Sequence, residues 1–339
     1  MRVRWVLAAI AAAPLVLAAG CARPPQQQAE THFIHGKVLA EQGNVEAALA
    51  ELAEAVKENP KLSVAHAAIG DIRRRRGDLE QARESYETAC RTDPYAFRAH
   101  YNLGVTYQML SQAAKALSKT EECLRQAVRV YLRAVAIEPA DYDTNLNLAA
   151  CYFQIGRHDQ AEQYGLAAIK IDPNSPQAHA NLGVIYDSQD RLFDAIREYK
   201  ASLELDDRQP QLLLNLGATY VKQQRYKTAI SWFDRAVKDD PNFAPAYEQM
   251  GSCYFQMREY DKALAAYQKA AAADATSAAA FRGIGAAYMS LYLTDHSDPD
   301  LREKALDAWH RSLELQSDQK DLLRLVEKYR TKAEGGPDL

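Results

Sequence analysis

The five cysteines include no C-x-x-C pair and no zinc-type spacing, so neither a dithiol redox site nor a structural zinc site is signalled. A phosphate-cradling glycine loop, G-x-S-x-G and H-E-x-x-H are also missing, which removes the common signatures of nucleotide-dependent and hydrolytic enzymes. Positive charge is short: 41 lysines and arginines face 45 aspartates and glutamates, for a net charge of −4. A nucleic-acid partner would need a basic stripe, so none is expected. Long apolar runs are scarce. Residues 5–19 form the one clear example, about 15 residues interrupted by Pro14, whereas a membrane-spanning helix needs about 20. No cofactor, no metal and no small-molecule substrate is expected, and the chain does not read as an enzyme.

What is present is a period. Residues 210–243 carry Asn215, Leu216, Gly217 and Tyr220, then Ala229, Phe233, Ala236 and Pro241. A shift of 34 residues one way lays Asn181, Leu182, Gly183, Tyr186, Ala195 and Tyr199 on the same positions, and the other way Met250, Gly251, Tyr254, Ala263, Tyr267 and Ala270. Leu216, Gly217 and Tyr220 are spaced i, i+1, i+4; Ala229, Phe233 and Ala236 are spaced i, i+4, i+7. Each set is one apolar helical stripe. Pro241 cannot continue a helix, so the unit is a pair of antiparallel helices, A and B, with short turns. Glycine inside a helix costs about 1 kcal/mol relative to alanine, yet Gly36, Gly70, Gly104, Gly183, Gly217, Gly251 and Gly285 all occupy position eight, with Ala149 in the remaining repeat. Close approach of a neighbouring helix is the expected compensation. One such pair cannot bury its stripes alone, so the repeats must stack.

This period and residue order resemble the tetratricopeptide repeat family, over most of the chain. The resemblance implies an all-α fold: a right-handed superhelical solenoid of about eight helix pairs, covering 29–62, 63–96, 97–141, 142–175, 176–209, 210–243, 244–277 and 278–319. Amphipathic residues 320–334 would cap it, with 335–339 as a disordered tail. Repeats three and eight run 11 and eight residues over the period, near residues 112–122 and 294–301. The first insertion has helix-forming residues, while Asp295, Asp298 and Pro299 give the second a loop character. Both fall at the turn between helices A and B; a partner-docking edge is one reading and tolerated drift the other.

Ahead of the repeats, Arg2 and Arg4 precede the apolar run, and Gly20 and Cys21 follow it. This is a secretory signal pattern, with residues 1–20 removed. Leu17, Ala18, Ala19, Gly20 and Cys21 resemble the lipobox of bacterial lipoproteins, with Ala18 where that family prefers leucine. The resemblance implies lipid attachment at Cys21, a tether over residues 21–28, and, because Ala22 follows the cysteine, the outer membrane. The alternative is an ordinary signal peptide with Cys21 incidental.

Helical geometry, at 100° per residue, places positions two, six, nine and thirteen on one stripe turned away from the packed glycine. Position six holds Asn102, Asn147, Asn181, Asn215 and Gln249. A carboxamide offers donor and acceptor together and so pairs with any peptide unit. The row resembles the asparagine ladder that lines the groove of some tetratricopeptide proteins and contacts an extended peptide; a packing role is the competing account. Position two reads Arg98, Asp143, Gln177, Gln211 and Pro245, which does not fit the carboxylate clamp of chaperone-binding members.

Three residue sets have bland readings. Arg73, Arg74, Arg75 and Arg76 end a helix before Gly77, where cations suit the dipole. His32, His66, His100 and His179 share position four, too far apart from repeat to repeat for one metal ion, so they are expected to pack on the preceding repeat. Cys90, Cys151 and Cys253 are expected to be buried and Cys123 exposed. The whole reads as an exported, lipid-anchored scaffold that binds a protein or extended peptide at a bacterial envelope. Its layout is similar to tetratricopeptide lipoproteins that act as pilotins for pilus secretins, with a general adaptor in envelope biogenesis as the alternative and an enzyme with an unrecognised site as the outside one.

Overall fold

A computed structural model describes residues 25–294, 298 and 300–334. The signal segment, Cys21 and the tail lie outside the described residues, as do residues 295–297 and 299 of the repeat-eight insertion. Seventeen α-helices and no strand occur among the described residues. The chain divides into two compact bodies, residues 1–137 and 138–339. In the first, α1 (Pro25–Glu41) pairs with α2 (Val45–Glu58), α3 (Ser63–Arg76) with α4 (Leu79–Thr92), and α5 (Phe97–Ala113) with α6 (Leu117–Ile137). In the second, α7 (Tyr142–Gln154) pairs with α8 (His158–Ile171), α9 (Pro176–Ser188) with α10 (Leu192–Leu205), and α11 (Pro210–Lys222) with α12 (Tyr226–Asp239). The pairs α13 (Ala244–Gln256) with α14 (Tyr260–Ala273) and α15 (Ala278–Thr294) with α16 (Asp300–Leu315) follow, and α17 (Lys320–Glu334) packs on α16.

The position-eight glycines are explained by what a side chain there would strike. A Cβ on Gly217 would come 2.3 Å from the Phe233 ring, on Gly183 2.5 Å from Tyr199, and on Gly70 2.7 Å from Tyr86. Tyr86, Tyr199 and Phe233 are almost completely buried. Burying such a side chain stabilises by about 1.5–3 kcal/mol, more than the roughly 1 kcal/mol that the glycine costs. Repeat four inverts the arrangement. Ala149 fills the glycine slot, and the aromatic position opposite is Gly165, whose Cβ would lie 4.0 Å from that of Ala149.

In repeats two to five, position four is tied to the end of the repeat before it. The Nε2 of His66, His100 and His179 donates to the carbonyls of Pro60, Pro94 and Pro173 at 2.9, 3.1 and 3.2 Å. In repeat four, Asn145 donates from Nδ2 to Pro139 O at 3.1 Å, so a carboxamide does the imidazole's work. The four arginines ending α3 are all partnered: Arg73 with Ser85, Arg74 with Tyr86, Arg75 with Asp71 O, and Arg76 with Glu46 and Asp78.

Three expectations change. Helix α1 begins at Pro25, so residues 25–28 of the expected tether belong to the first helix; proline is tolerated in a first turn, and glutamine is a good helix former. Cys123 is buried, 7% exposed, because α6 continues through the insertion and turns that residue inward. The insertion itself lengthens both helices around a break at residues 114–116 rather than forming one added helix.

Candidate functional site: the inner wall of the C-terminal body

Within the C-terminal body the A helices adjoin one another in order, α7 to α9, α9 to α11, α11 to α13 and α13 to α15, while the B helices make no comparable contacts among themselves. The stack therefore bends with its A helices on the inside. Along that wall Asn147, Asn181, Asn215 and Gln249 are half-buried. Asn181 Oδ1 accepts from Gln177 Nε2 at 3.1 Å, and Asn215 Oδ1 from Gln211 Nε2 at 3.2 Å. Each glutamine lies one helical turn earlier, at position two. With those oxygens engaged, the Nδ2 groups of Asn181 and Asn215 keep both N–H donors without a partner among the described residues, and Asn147 has Asp143 in the glutamine's place. Asn102 belongs to the N-terminal body and differs: its Nδ2 donates to Asp71 Oδ1 at 3.0 Å, an oxygen that also accepts from Tyr86 at 2.5 Å.

The row ends for a steric reason. Position six of repeat eight is Gly283, where a Cβ would lie 2.5 Å from the Tyr267 ring, while one on Gly251 would lie 2.8 Å from the same ring. Tyr267 is wedged between two A helices, leaving no room for a further carboxamide. Beyond it opens a cleft of about 750 Å³, whose walls include Gln249 and Ser252 of α13, Arg282 of α15, and Leu322 and Leu325 of α17. Burial pushes the Tyr267 phenol up to about 12, although its hydrogen bond with Ser252 and nearby Arg282 act the other way. It stays neutral at physiological pH. The Arg282 guanidinium holds no ion pair among the described residues, and Glu248 Oε1 accepts from Ser277 Oγ at 2.5 Å. The cleft thus combines Leu322 and Leu325 of the last helix with two cations, Arg282 and Lys320, that hold no ion pair among the described residues. Its contributors from α13 and α15 sit at positions two, five, six, nine and twelve. Helical geometry foresees two, six and nine; positions five and twelve contribute the bulky Arg282 and Phe255.

No described helix is long and apolar enough to cross a membrane. Among the described residues, Cys151 and Cys253 are buried as expected, and burial pushes Cys253 up to about 11, whereas Cys90 is only partly buried.

Comparison with known proteins agrees with the architecture. The PilF protein of Pseudomonas aeruginosa is 21% identical with a TM-score of 0.51, over 64% of this chain and 94% of that one. A tetratricopeptide repeat protein of Parabacteroides merdae is 16% identical with a TM-score of 0.53, over 77% of this chain and 99% of that one. A chain of the APC/C heterotetramer Cut9–Hcn1 gives 16% and 0.53, over 84% of this chain and 52% of that one. At such identities the likeness is one of fold. No curated protein matches the chain. The family of the cilia and flagella-associated protein 70 C-terminal domain matches residues 7–244, and the tetratricopeptide repeat family matches residues 244–277. The chain belongs to the tetratricopeptide repeat proteins, within the family described by that C-terminal domain.

Proposed function

We propose that this protein is an exported scaffold, anchored by a lipid on Cys21, whose C-terminal body holds an extended segment of a partner protein along its inner wall. The tetratricopeptide fold is one of protein-binding scaffolds; the envelope location and a part in assembling a pilus or secretion complex are the finer reading. The observation that carries the peptide reading is the row Asn147, Asn181 and Asn215, which keeps amide donors free on the inside of a stack and leads into the cleft at α17. A free carboxamide N–H recognises a peptide carbonyl whatever side chain accompanies it, and each such bond contributes about 0.5–1.5 kcal/mol net. The carbonyls of an extended segment supply a matching series of acceptors, and the cleft receives its apolar end beside Arg282.

The location is supported by residues 1–22 alone. Two or more acyl chains on Cys21 would hold the protein on a membrane stably, since each buried CH2 contributes about 0.8 kcal/mol.

Display of random extended peptides against the chain tests the binding. Selected peptides should lose about 5- to 150-fold in affinity for the Asn147→Ala/Asn181→Ala variant, the equivalent of two such bonds, with the helix content unchanged. Equal affinity for both proteins removes the carboxamide row from the mechanism. For the anchor, Cys21→Ser should abolish incorporation of a labelled fatty acid and move the protein from the membrane fraction to the soluble one; incorporation that persists rules out Cys21 as the attachment point.

A further inference from the structure

The N-terminal body holds a cavity whose reading is independent of that of the inner wall. Between α4, α5 and α6 lies a cavity of about 360 Å³ lined by Glu87, Cys90, Leu103, Val130, His100 and three arginines, Arg91, Arg129 and Arg133. His100 is 8% exposed. Its Nε2 donates to Pro94 O at 3.1 Å, and its Nδ1 is buried with no hydrogen-bond partner.

Two of the three other repeats with a histidine at position four give that nitrogen a carboxylate, whereas repeat two has Ser85 at the corresponding place. In repeat one, His32 Nδ1 lies 2.6 Å from Glu51 Oε2; in repeat five, His179 Nδ1 lies 2.7 Å from Glu198 Oε2. Both glutamates occupy the position just before the large side chain that faces the glycine, Leu52 and Tyr199. In repeat three that position is Val130, before Tyr131. The carboxylate has gone, a cavity stands beside the histidine, and the arginines around it have no acidic partner among the described residues. Glu87, the one acid in the lining, is committed to Tyr107 at 2.6 Å and to Arg83 at 3.8 Å.

We infer that this cavity receives the glutamate side chain of a partner protein segment, whose carboxylate completes the pair with His100 Nδ1 that Glu51 and Glu198 make within the chain. Arg91, Arg129 and Arg133, all exposed, surround the entering charge and part readily because nothing inside the protein holds them. With Nε2 donating to Pro94 O, a bond from Nδ1 to a carboxylate makes the ring an imidazolium, so binding takes up a proton. The charged and titratable groups facing His100 are Glu87, Cys90 and Arg91 of α4, Asp93 beyond its end, and Arg129 and Arg133 of α6. Burial pushes the Cys90 thiol up to about 12, so it stays neutral throughout.

The test is titration of the full chain, with its histidine rings isotope-labelled for NMR, against an acetylated and amidated tetraglutamate peptide, with inorganic phosphate as the parallel probe. The peptide should bind saturably, move His100 to the imidazolium position and bind more weakly as pH rises from 6 to 8. Val130→Glu, which supplies the missing carboxylate internally as in repeats one and five, should place His100 in that position without peptide and weaken peptide binding at least tenfold. Arg129→Gln/Arg133→Gln, at exposed sites that leave the fold intact, should weaken it similarly. An unmoved His100 ring, with or without peptide binding, overturns the inference. So does phosphate binding as tight as the peptide's, which would make the cavity a general anion site.

Discussion

At the scale of single residues, the glycine at position eight and the large side chain facing it form one compensated pair. The glycines were legible in the sequence because they recur; their partners, at the first bulky position of the facing B-helix stripe, needed the interhelical distance. The Ala149 and Gly165 exchange is the case where both members changed together. Gly217→Ala should therefore destabilise the protein by about 1–3 kcal/mol through overpacking. In a Phe233→Ala background the same change should cost under about 0.5 kcal/mol, so denaturant melts of the four proteins should yield a coupling energy above 1 kcal/mol. His100 gives a pH effect of definite sign. Burial, with Arg133 acting in the same direction, holds its ring below the usual 6.5 in the folded state, against a weaker opposing pull from the Pro94 carbonyl and Asp93. The unfolded chain then binds a proton that the folded chain refuses, so stability falls as pH drops below about 6.5. His100→Asn copies the residue that already makes this bond at position 145, and its melting temperature should decline less between pH 7 and 5 than that of the wild type.

At the scale of helices and turns, periodicity made the consecutive helix pairing legible, because each apolar stripe repeats with the register of its neighbour. Helix ends were less legible. Residues 25–28 read as an extended tether because of paired prolines, yet Pro25 starts α1. Each regular A helix turns into its B helix through one left-handed residue, Gly43, Gly77 and Gly156 in three repeats and Asp190, Gln224 and Arg258 in three others. A residue with a Cβ pays about 1 kcal/mol there, so Gly156→Ala should lower stability by about that much. Urea unfolding with an unchanged slope is the appropriate readout. The burial of Cys123 was missed because inserted residues suggest exposure, whereas α6 carries the residue on the face of its helix that packs inward. The His100 cavity was missed because its signal is a difference between particular repeats, valine at 130 where repeats one and five carry Glu51 and Glu198, and such a difference does not recur.

At the scale of the whole molecule, the fold follows from helix pairs that have no interior of their own, and each body needs an end. Helix α17 supplies one by burying Leu322 and Val326 against Met289 and Trp309. Deleting residues 320–339 should remove about 3–6 kcal/mol of apolar burial, and light scattering should detect self-association of the truncated protein. The carboxamide row was legible as a stripe from helical spacing. Its unequal state was not: Asn102 is engaged by Asp71, while Asn181 and Asn215 are oriented by glutamines one turn away. Those differences depend on what position two and the preceding repeat present. The central claim is that this row grips the backbone of an extended peptide, and the side-chain amide resonances of Asn147, Asn181 and Asn215 report on it directly. During titration with a display-selected peptide, all three should shift together and saturate at the binding stoichiometry, while the amide of exposed Asn242 stays in place. Saturable binding that leaves the three resonances unmoved would contradict the account.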